Sequence, residues 1–228
     1  MKILVLIMSH ETNDNNFINY KKVWDNQILN LDKSKFNIEF KFLYSDNTIE
    51  EKYQIQGNNL ITKCNEDYWH SLLLKVMSGF DFFIQNDFDL VFKTNLSTII
   101  NFDKFYEYCC QIDNSREFVY DGVIGDYQNY FYCSGAGMLL NKKSVNLVLN
   151  NKEYLTESWT DDIFIGFILN KLNGIQPCGL LNRFDIVTKN QQFSKEDILC
   201  NTHIRIKLRI GNLDTIYSNI VYDFLINK

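Results

Sequence analysis

The chain opens with an apolar run that predicts a buried strand. Residues 2–9, KILVLIMS, are followed by a polar loop over residues 10–16. Apolar side chains at successive positions are typical of a strand that is covered on both faces. The segment IEFKFLYSDN predicts a second strand that ends in turn residues, and LITK predicts a short third one. Between the first two strands we expect a helix over about residues 17–31.

Two later segments have the apolar spacing of helices. In the first, the apolar residues at i, i+3, i+4 and i+7 are Trp69, Leu72, Leu73 and Val76. Asn65 is predicted to cap this helix and Gly79 to end it. The second helix begins at WTDD, residues 159–162, and is predicted to end at Gly174.

Further strands and helices fill the rest of the chain. FDLVFK predicts a central strand, GVIG and FYCSGAGMLL predict two more, and THIRIKLRI predicts a late one before a final helix. Shorter helices are predicted over residues 103–111 and 142–149. Strands that alternate with helices predict an α/β fold with a mostly parallel sheet sandwiched between helices. We expect one domain over residues 1–228, because no linker or repeat interrupts the pattern.

The charge and the cysteine content of the chain indicate which partners and which compartment to expect. The net charge of -5 and the pI near 5.2 argue against a nucleic-acid partner, which requires a basic face. The six cysteines stand at irregular spacings without a C-x-x-C pair, so we predict reduced thiols and a cytoplasmic location. The apolar run at the N-terminus is too short for a signal peptide or a membrane span.

Small polar residues or glycines follow four of the predicted strands. They lie at Ser9, at Asp46, over residues 94–97 and over residues 134–137. In open α/β sheets ligands bind at the carboxyl ends of the strands, so these segments predict a nucleotide cleft. Turns after strands have the same composition in most proteins, and this alternative stays open.

Three segments, in order, resemble the GT-A glycosyltransferases, particularly the β-1,3-galactosyltransferase-like group. DYWHSLLLKVMSGF…FDLVFKTNLSTIINFDKF is similar to the family block Y-x-N-L-T-L-K…K-Y-x-x-K-T-D-D-D-x-F-x-N. YCSGAGMLLNKKSVNLVL is similar to Y-C-S-G-G-G-Y-x-L-S, and TDDIFIGFILNKLNGI to E-D-V-x-x-G-x-x-L-x-x-L-G-I. The forms KTNLS and HIRIK are also similar to those of small glycosyltransferases encoded by large DNA viruses, which would place the protein in the host cytoplasm.

The resemblance implies a Rossmann-like GT-A domain with hexosyltransferase activity. Its donor would be a nucleotide-diphosphate sugar, by default a UDP-sugar, and its acceptor a hydroxyl of a glycan or a protein. The family's acid-Asp pair matches Asp161 and Asp162, and the resemblance makes Asp162 the general base of an inverting transfer. Gly166, one turn further on, is predicted to leave room for a ligand above Asp162. The competing interpretation is that two acids in a first helical turn only complement the helix dipole.

The resemblance also implies a Mn²⁺ or Mg²⁺ ion beside the donor diphosphate. Asn95 and Ser97 stand where the family has its metal-binding aspartates, and His203 is where a late histidine ligand recurs. Neutral oxygens hold a hard cation poorly, so either the metal is weakly held or cationic side chains take over its role. A literal D-x-D at residues 87–89 is a second-ranked alternative, because it precedes its strand.

Cationic and glycine-rich positions complete the predicted donor site. In alternation with His203, Arg205 and Lys207 share one face of the late strand and are predicted to bind the diphosphate, unless this is an exposed edge strand. The other predicted contacts with the nucleotide sugar are Ser9, Asp46, Lys93, Asn95, Ser134, Gly135 and Gly137. Ser9 and Asp46 would contact the base or ribose, and Trp159 is predicted to stack on a sugar.

Two other functions compete with sugar transfer. A catalytically silent sugar-nucleotide-binding module is the alternative that the missing acidic metal motif suggests. A nucleotidyltransferase is disfavoured, because SHETNDNN after the first strand lacks the glycines that such enzymes place there.

Overall fold

The computed structural model describes residues 1–67, 70–112, 116–155 and 159–227, so Trp69 lies outside the described residues. The strands are β1 (Ile3–Met8), β2 (Ile38–Ser45), β3 (Tyr53–Gln56), β4 (Asn59–Thr62), β5 (Leu90–Asn95), β6 (Thr98–Ile100), β7 (Tyr120–Tyr127), β8 (Tyr130–Asn141), β9 (Arg183–Ile186) and β10 (His203–Ile206). The helices are α1 (Asn15–Leu29), α2 (His70–Gln85), α3 (Phe102–Gln111), α4 (Lys142–Leu149), α5 (Asp161–Gly166, continued by a π-helix over Phe167–Leu172), α6 (Lys195–Leu199) and α7 (Leu213–Ile226). None of the described helices is long and apolar enough to cross a membrane.

The chain folds into two compact units that are each built from three segments. Unit 1 consists of Met1–Glu11, Asn37–Asn95 and Asn114–Leu180. Unit 2 consists of Thr12–Phe36, Leu96–Asp113 and Leu181–Lys228. The expectation of a single domain over residues 1–228 stays a prediction.

Unit 1 is organised around a mostly parallel sheet. In the part of the chain that the structure describes, this sheet has seven strands in the order β3-β4-β2-β1-β5-β8-β7. The neighbours β4, β2, β1 and β5 are parallel, β8 runs antiparallel to β5, and β7 runs antiparallel to β8. The predicted α/β class with a mostly parallel sheet is therefore confirmed. The antiparallel strand β3 was not predicted.

Helices α2, α4 and α5 cover one face of this sheet. They pack against the sheet and against one another around a common apolar core. Leu4, Leu6 and Met8 of β1 belong to this core, while the alternate residues of β1 are equally buried, which confirms a strand covered on both faces. The burial of these side chains provides the main driving force for forming the unit.

The predicted start and end of α2 were wrong. Gly79 does not end the helix, which continues to Gln85. A Cβ atom at Gly79 would lie 2.7 Å from Cδ1 of Leu6, so this glycine lets the helix pack closely on β1. At the start, Asp67 and not Asn65 accepts a hydrogen bond from a first-turn backbone amide, that of Ser71 (3.1 Å).

Unit 2 contains a smaller sheet. Over the described residues it has three strands in the order β6-β10-β9, with β6 antiparallel and β9 parallel to β10. Helix α7 packs against β10, α1 and α6. A strand forms within the predicted segment THIRIKLRI, but it covers only His203–Ile206. The interpretation of it as an exposed edge strand is wrong, because β10 is the central strand of its sheet over the described residues.

Candidate active site

The parallel strands of unit 1 bring their polar ends to one edge of the sheet. Ser9 follows β1, Asp46 follows β2, and Asn95 is the last residue of β5. Since β2, β1 and β5 are adjacent and parallel, these three residues lie along the same carboxyl edge. This is the edge at which open α/β sheets bind ligands.

A buried lysine joins β5 to the acid pair of α5. The Lys93 ammonium forms an ion pair with Oδ2 of Asp161, and both side chains are almost completely buried. Lys93 also donates a hydrogen bond to the carbonyl oxygen of Gly135 (2.7 Å) and a longer one to Oδ1 of Asn95 (3.4 Å). Burial raises the pKa of Asp161, and the positive charge of Lys93 opposes this rise.

Asp162 is held in one orientation by three hydrogen-bond donors. Its Oδ2 accepts from the backbone amide of Gly135 (3.0 Å), and its Oδ1 accepts from the Thr160 hydroxyl (2.5 Å) and the Ile163 amide (3.0 Å). The side chain is only half-buried, so this carboxylate is both fixed and accessible. The adjacent Asp161 pairs with Lys93 of strand β5, which a role restricted to the dipole of α5 would not require.

Gly135 is the point at which these charged groups converge. A Cβ atom there would lie 2.8 Å from Nζ of Lys93 and 3.4 Å from Oδ2 of both Asp161 and Asp162. The two carboxylate oxygens are at ordinary van der Waals distance, but the Lys93 ammonium would have to shift to make room for a side chain at this position. The Gly135 amide, which is predicted to approach the sugar or phosphate, donates to Asp162, and its carbonyl accepts from Lys93.

This convergence predicts that Gly135→Ala destabilises the protein. The added methyl group displaces the Lys93 ammonium from its partners, and we expect the free energy of unfolding to fall by about 1–3 kcal/mol. Urea-induced unfolding of the variant and the wild type measures this difference. Ser134→Ala, which removes only a hydroxyl group from the neighbouring residue, is the control. An equal effect of both substitutions would contradict the proposed crowding.

The other residues of the SGAG segment lie within the continuous strand β8 and not in a turn. The register of β8 with β7 shifts between Gly122 and Ile124, which leaves extra residues of β8 in a bulge. Ser134 is half-buried in this bulge, whereas Gly137 is buried. A Cβ atom at Gly122 would lie 2.4 Å from the carbonyl oxygen of Gly137, so the missing side chain of Gly122 permits the close packing of the two strands.

The space beyond Asp162 on α5 is not free. A Cβ atom at Gly166 would lie 2.4 Å from Cβ of Tyr132 and 2.9 Å from its Cα. The prediction that Gly166 leaves room for a ligand is therefore wrong, because strand β8 fills this space. Trp159 packs its ring against Phe167, with the ring centroids 4.8 Å apart.

Ser9 belongs to a second buried lysine site that sequence reasoning missed. Lys75 of α2 is buried, and its ammonium donates to the carbonyl oxygen of Ser9 (2.9 Å) and to both carboxylate oxygens of Glu66 (2.7 and 2.9 Å). The amide of Ser9 donates to Leu43 (3.0 Å). The one feature of the sequence that indicates this site is the position of Lys75 beside the apolar residues of α2.

Asp46 closes a turn at the end of β2. Its Oδ1 accepts from the amide and the hydroxyl of Thr48 (2.8 and 2.7 Å), which lowers the pKa of Asp46. Such a side-chain hydrogen bond within a turn is the alternative to binding of a base or ribose. The contact of Asp46 with a nucleoside stays a prediction.

Of the predicted residues of unit 2, His203 and Arg205 lie on β10, while Lys207 follows β10 and Ser97 precedes β6. His203 is completely buried, with Nδ1 2.9 Å from the Thr202 hydroxyl. Burial, together with the charge of Arg183, lowers the pKa of His203 to about 3, so its imidazole is neutral at pH 7. Arg205 and Lys207 alternate with it and are half-buried.

These residues do not fit a divalent metal site. The carbonyl of Ser97 accepts from Ile206, whereas His203 is opposite Ile100, so Ser97 and His203 are separated by about 10 Å along the ladder. Asn95 offers a neutral oxygen that already faces the Lys93 ammonium. Within the described residues no three His, Cys, Asp or Glu side chains cluster as metal ligands.

The alternative D-x-D motif lies at the wrong end of its strand. Asp89 precedes β5 and accepts a hydrogen bond from the amide of Lys2 (2.6 Å), at the amino edge of the sheet. Asp87 is exposed beside it. This motif is therefore remote from the carboxyl edge at which β5 ends in Asn95.

The fold of the chain is similar to that of solved glycosyltransferases. Among solved structures, a glycosyltransferase involved in the glycosylation of the major capsid of PBCV-1 matches with a TM-score of 0.58 and 9% identity, over 96% of this chain and 100% of its own. The apo-form glycosyltransferase GlyE of Streptococcus pneumoniae TIGR4 matches with a TM-score of 0.51 and 10% identity, over 99% of this chain and 62% of its own. No protein-family model and no curated protein matches the chain. At these identities the similarity establishes the fold, and the activity must be argued from the residues.

Proposed function

We propose that the protein is a glycosyltransferase that moves a hexose from a nucleotide-diphosphate sugar, by default a UDP-sugar, to an acceptor hydroxyl with inversion. The main support is the convergence of Lys93, Asp161 and Asp162 on Gly135, beside the carboxyl edge of a GT-A sheet. One accessible carboxylate next to a buried ion pair provides a base and a nearby positive charge in the same site.

In the proposed reaction Asp162 is the general base. The acceptor oxygen attacks the anomeric carbon and transfers its proton to Asp162, while the bond between this carbon and the diphosphate oxygen breaks. The three hydrogen bonds to Asp162 fix the direction of its lone pairs. An oriented base is effective because the reacting groups need no further ordering.

The leaving diphosphate requires compensation of its negative charge. Lys93 is the candidate for this in unit 1, since its ammonium lies beside Asn95 at the end of β5. Arg205 and Lys207 are the candidates in unit 2. His203 is neutral and contributes no charge. Fixed positive charge of this kind stabilises the transition state most strongly where the negative charge develops.

The remaining partners of the proposed enzyme follow from the same assignment. Ser9 and Asp46 are candidates for the nucleoside, Ser134 and Gly135 for the sugar or phosphate, and the acceptor is a glycan or a protein. The irregular spacing of the six cysteines supports a reducing compartment such as the cytoplasm, that of the host if the gene is viral.

A panel of nucleotide sugars tests this function and its metal requirement. Thermal shifts and donor hydrolysis are measured for UDP-, GDP- and CMP-sugars, with Mn²⁺ or with EDTA. We expect at least one sugar nucleotide to raise Tm and to be hydrolysed, with EDTA reducing the rate less than about tenfold because neutral residues replace the metal-binding acids. No thermal shift with any donor would refute the proposal, and complete loss of hydrolysis in EDTA would refute its metal-independent form.

The same measurements identify a catalytically silent module. Such a protein would show the donor-induced thermal shift without any hydrolysis or transfer. The substitution of the acidic metal motif by Asn95 and Ser97 is the feature that favours it.

A further inference from the structure

Tyr132 has a position that only two glycines permit. It lies directly opposite Gly125 in the β7–β8 register. A Cβ atom at Gly125 would lie 2.5 Å from Cζ and 2.7 Å from the hydroxyl oxygen of Tyr132, so the phenol covers the backbone of this glycine. Gly166 of α5 packs against Cβ of the same tyrosine. The Tyr132 ring thus packs on the backbone of Gly125, and the side chain remains half-buried.

Tyr132 lies near the candidate base. Gly166 stands one helical turn after Asp162, so its contact with Tyr132 brings the tyrosine next to the carboxylate. Burial raises the pKa of Tyr132, and the charges of Asp162 and Asp126 raise it further, in agreement with this proximity. Asp126, the residue after Gly125, is exposed.

We propose that Tyr132 is the acceptor platform of the enzyme and that the acceptor is a carbohydrate, which it holds with its hydroxyl toward Asp162. This inference rests on the proposed transferase function. The face of an aromatic ring carries partial negative charge and attracts the positively polarised C–H groups on one side of a pyranose ring. A protein side chain as acceptor would make no use of this flat surface.

Binding of simple sugars tests the platform without depending on the donor reaction. Methyl glycosides of common hexoses and a peptide containing Ser and Thr are compared by saturation-transfer NMR. We expect saturation of the ring protons of at least one glycoside by the wild type, and none for the peptide. Tyr132→Leu, which keeps an apolar side chain but removes the π face, should weaken this binding roughly tenfold. Tyr132→Phe should keep most of it.

Phe131→Leu is the matched control. Phe131 is the neighbouring aromatic residue on the opposite face of β8 and is 48% exposed, so its replacement should leave glycoside binding unchanged. Binding of the peptide alone, or equal glycoside binding by wild type and Tyr132→Leu, would overturn the inference. A loss of the UDP-induced thermal shift in Tyr132→Leu with intact glycoside binding would also overturn it, and would assign the ring to the nucleobase. Failure of the transferase proposal is recognised separately, as absence of any donor-induced shift in the wild type.

Discussion

Asp162→Asn should slow sugar transfer by about 10²–10⁴-fold, because an amide cannot accept the proton of the acceptor hydroxyl. The donor-induced thermal shift should persist, since the substitution leaves Lys93 and the ends of the strands unchanged. An asparagine has only one carbonyl oxygen. If this oxygen takes the place of Oδ1 and keeps the bonds from Thr160 and Ile163, the variant loses the hydrogen bond from Gly135. A modest destabilisation of about 1 kcal/mol is therefore expected. Initial rates at saturating donor measure the effect on transfer.

The control for this variant is Asp87→Asn. Asp87 is an exposed acid of the alternative D-x-D motif at the opposite edge of the sheet, and its replacement should leave transfer unchanged. A rate for Asp162→Asn within about threefold of the wild type would exclude Asp162 as the base. Equal losses for both substitutions would indicate that the D-x-D motif contributes after all.

Much of the fold followed from the apolar pattern alone. Continuous apolar runs located β1 and β5, and the predicted bounds of the helix over residues 142–149 agree with those of α4. These elements are long or deeply buried, so periodicity and length determine them. The strands β3 and β9 and the helix α6 are only four or five residues long. Elements this short carry too little pattern to be distinguished from loops.

Glycines show where sequence reasoning failed for a physical reason. Gly79 is predicted to end a helix and Gly166 to leave room for a ligand, yet each of them lets a helix pack closely on a strand. At Gly174 the predicted end of a helix is confirmed, because its φ of 67° is in the left-handed region. The missing side chain is the same in all three cases. What fills the space around it depends on distant parts of the chain.

The candidate site was predictable where topology alone brings residues together. The carboxyl edge follows from strand order and the acid pair from the family resemblance, and the two are joined by the ion pair between Lys93 and Asp161. The pairing of Lys75 with Glu66 was not predictable, because no local pattern indicates which acid a buried lysine will reach. The burial of His203, which makes it neutral, depends equally on packing that the alternation of residues 203–207 does not reveal.

Lys93→Met should destabilise the protein by about 3–5 kcal/mol, because it leaves the buried carboxylate of Asp161 without its counter-charge. Asp161→Asn should be destabilising for the converse reason. Removal of both charges in Lys93→Met/Asp161→Asn should restore most of the lost stability, since neither partner is then left unpaired. Urea-induced unfolding of the four proteins measures the coupling free energy.

The pH dependence of Lys93→Met provides an independent check of the same pair. Burial raises the pKa of Asp161 above its unfolded value, so the folded variant binds the proton more tightly than the unfolded chain does. The stability of Lys93→Met should therefore rise as the pH falls from 7 to 5, relative to the double variant, which lacks this carboxylate. Two results would show that Lys93 and Asp161 are not coupled. One is that the effects of the single substitutions simply add in the double variant, and the other is that the pH profile of Lys93→Met is parallel to that of the double variant. In that case the ion pair could not hold Lys93 beside the proposed diphosphate site.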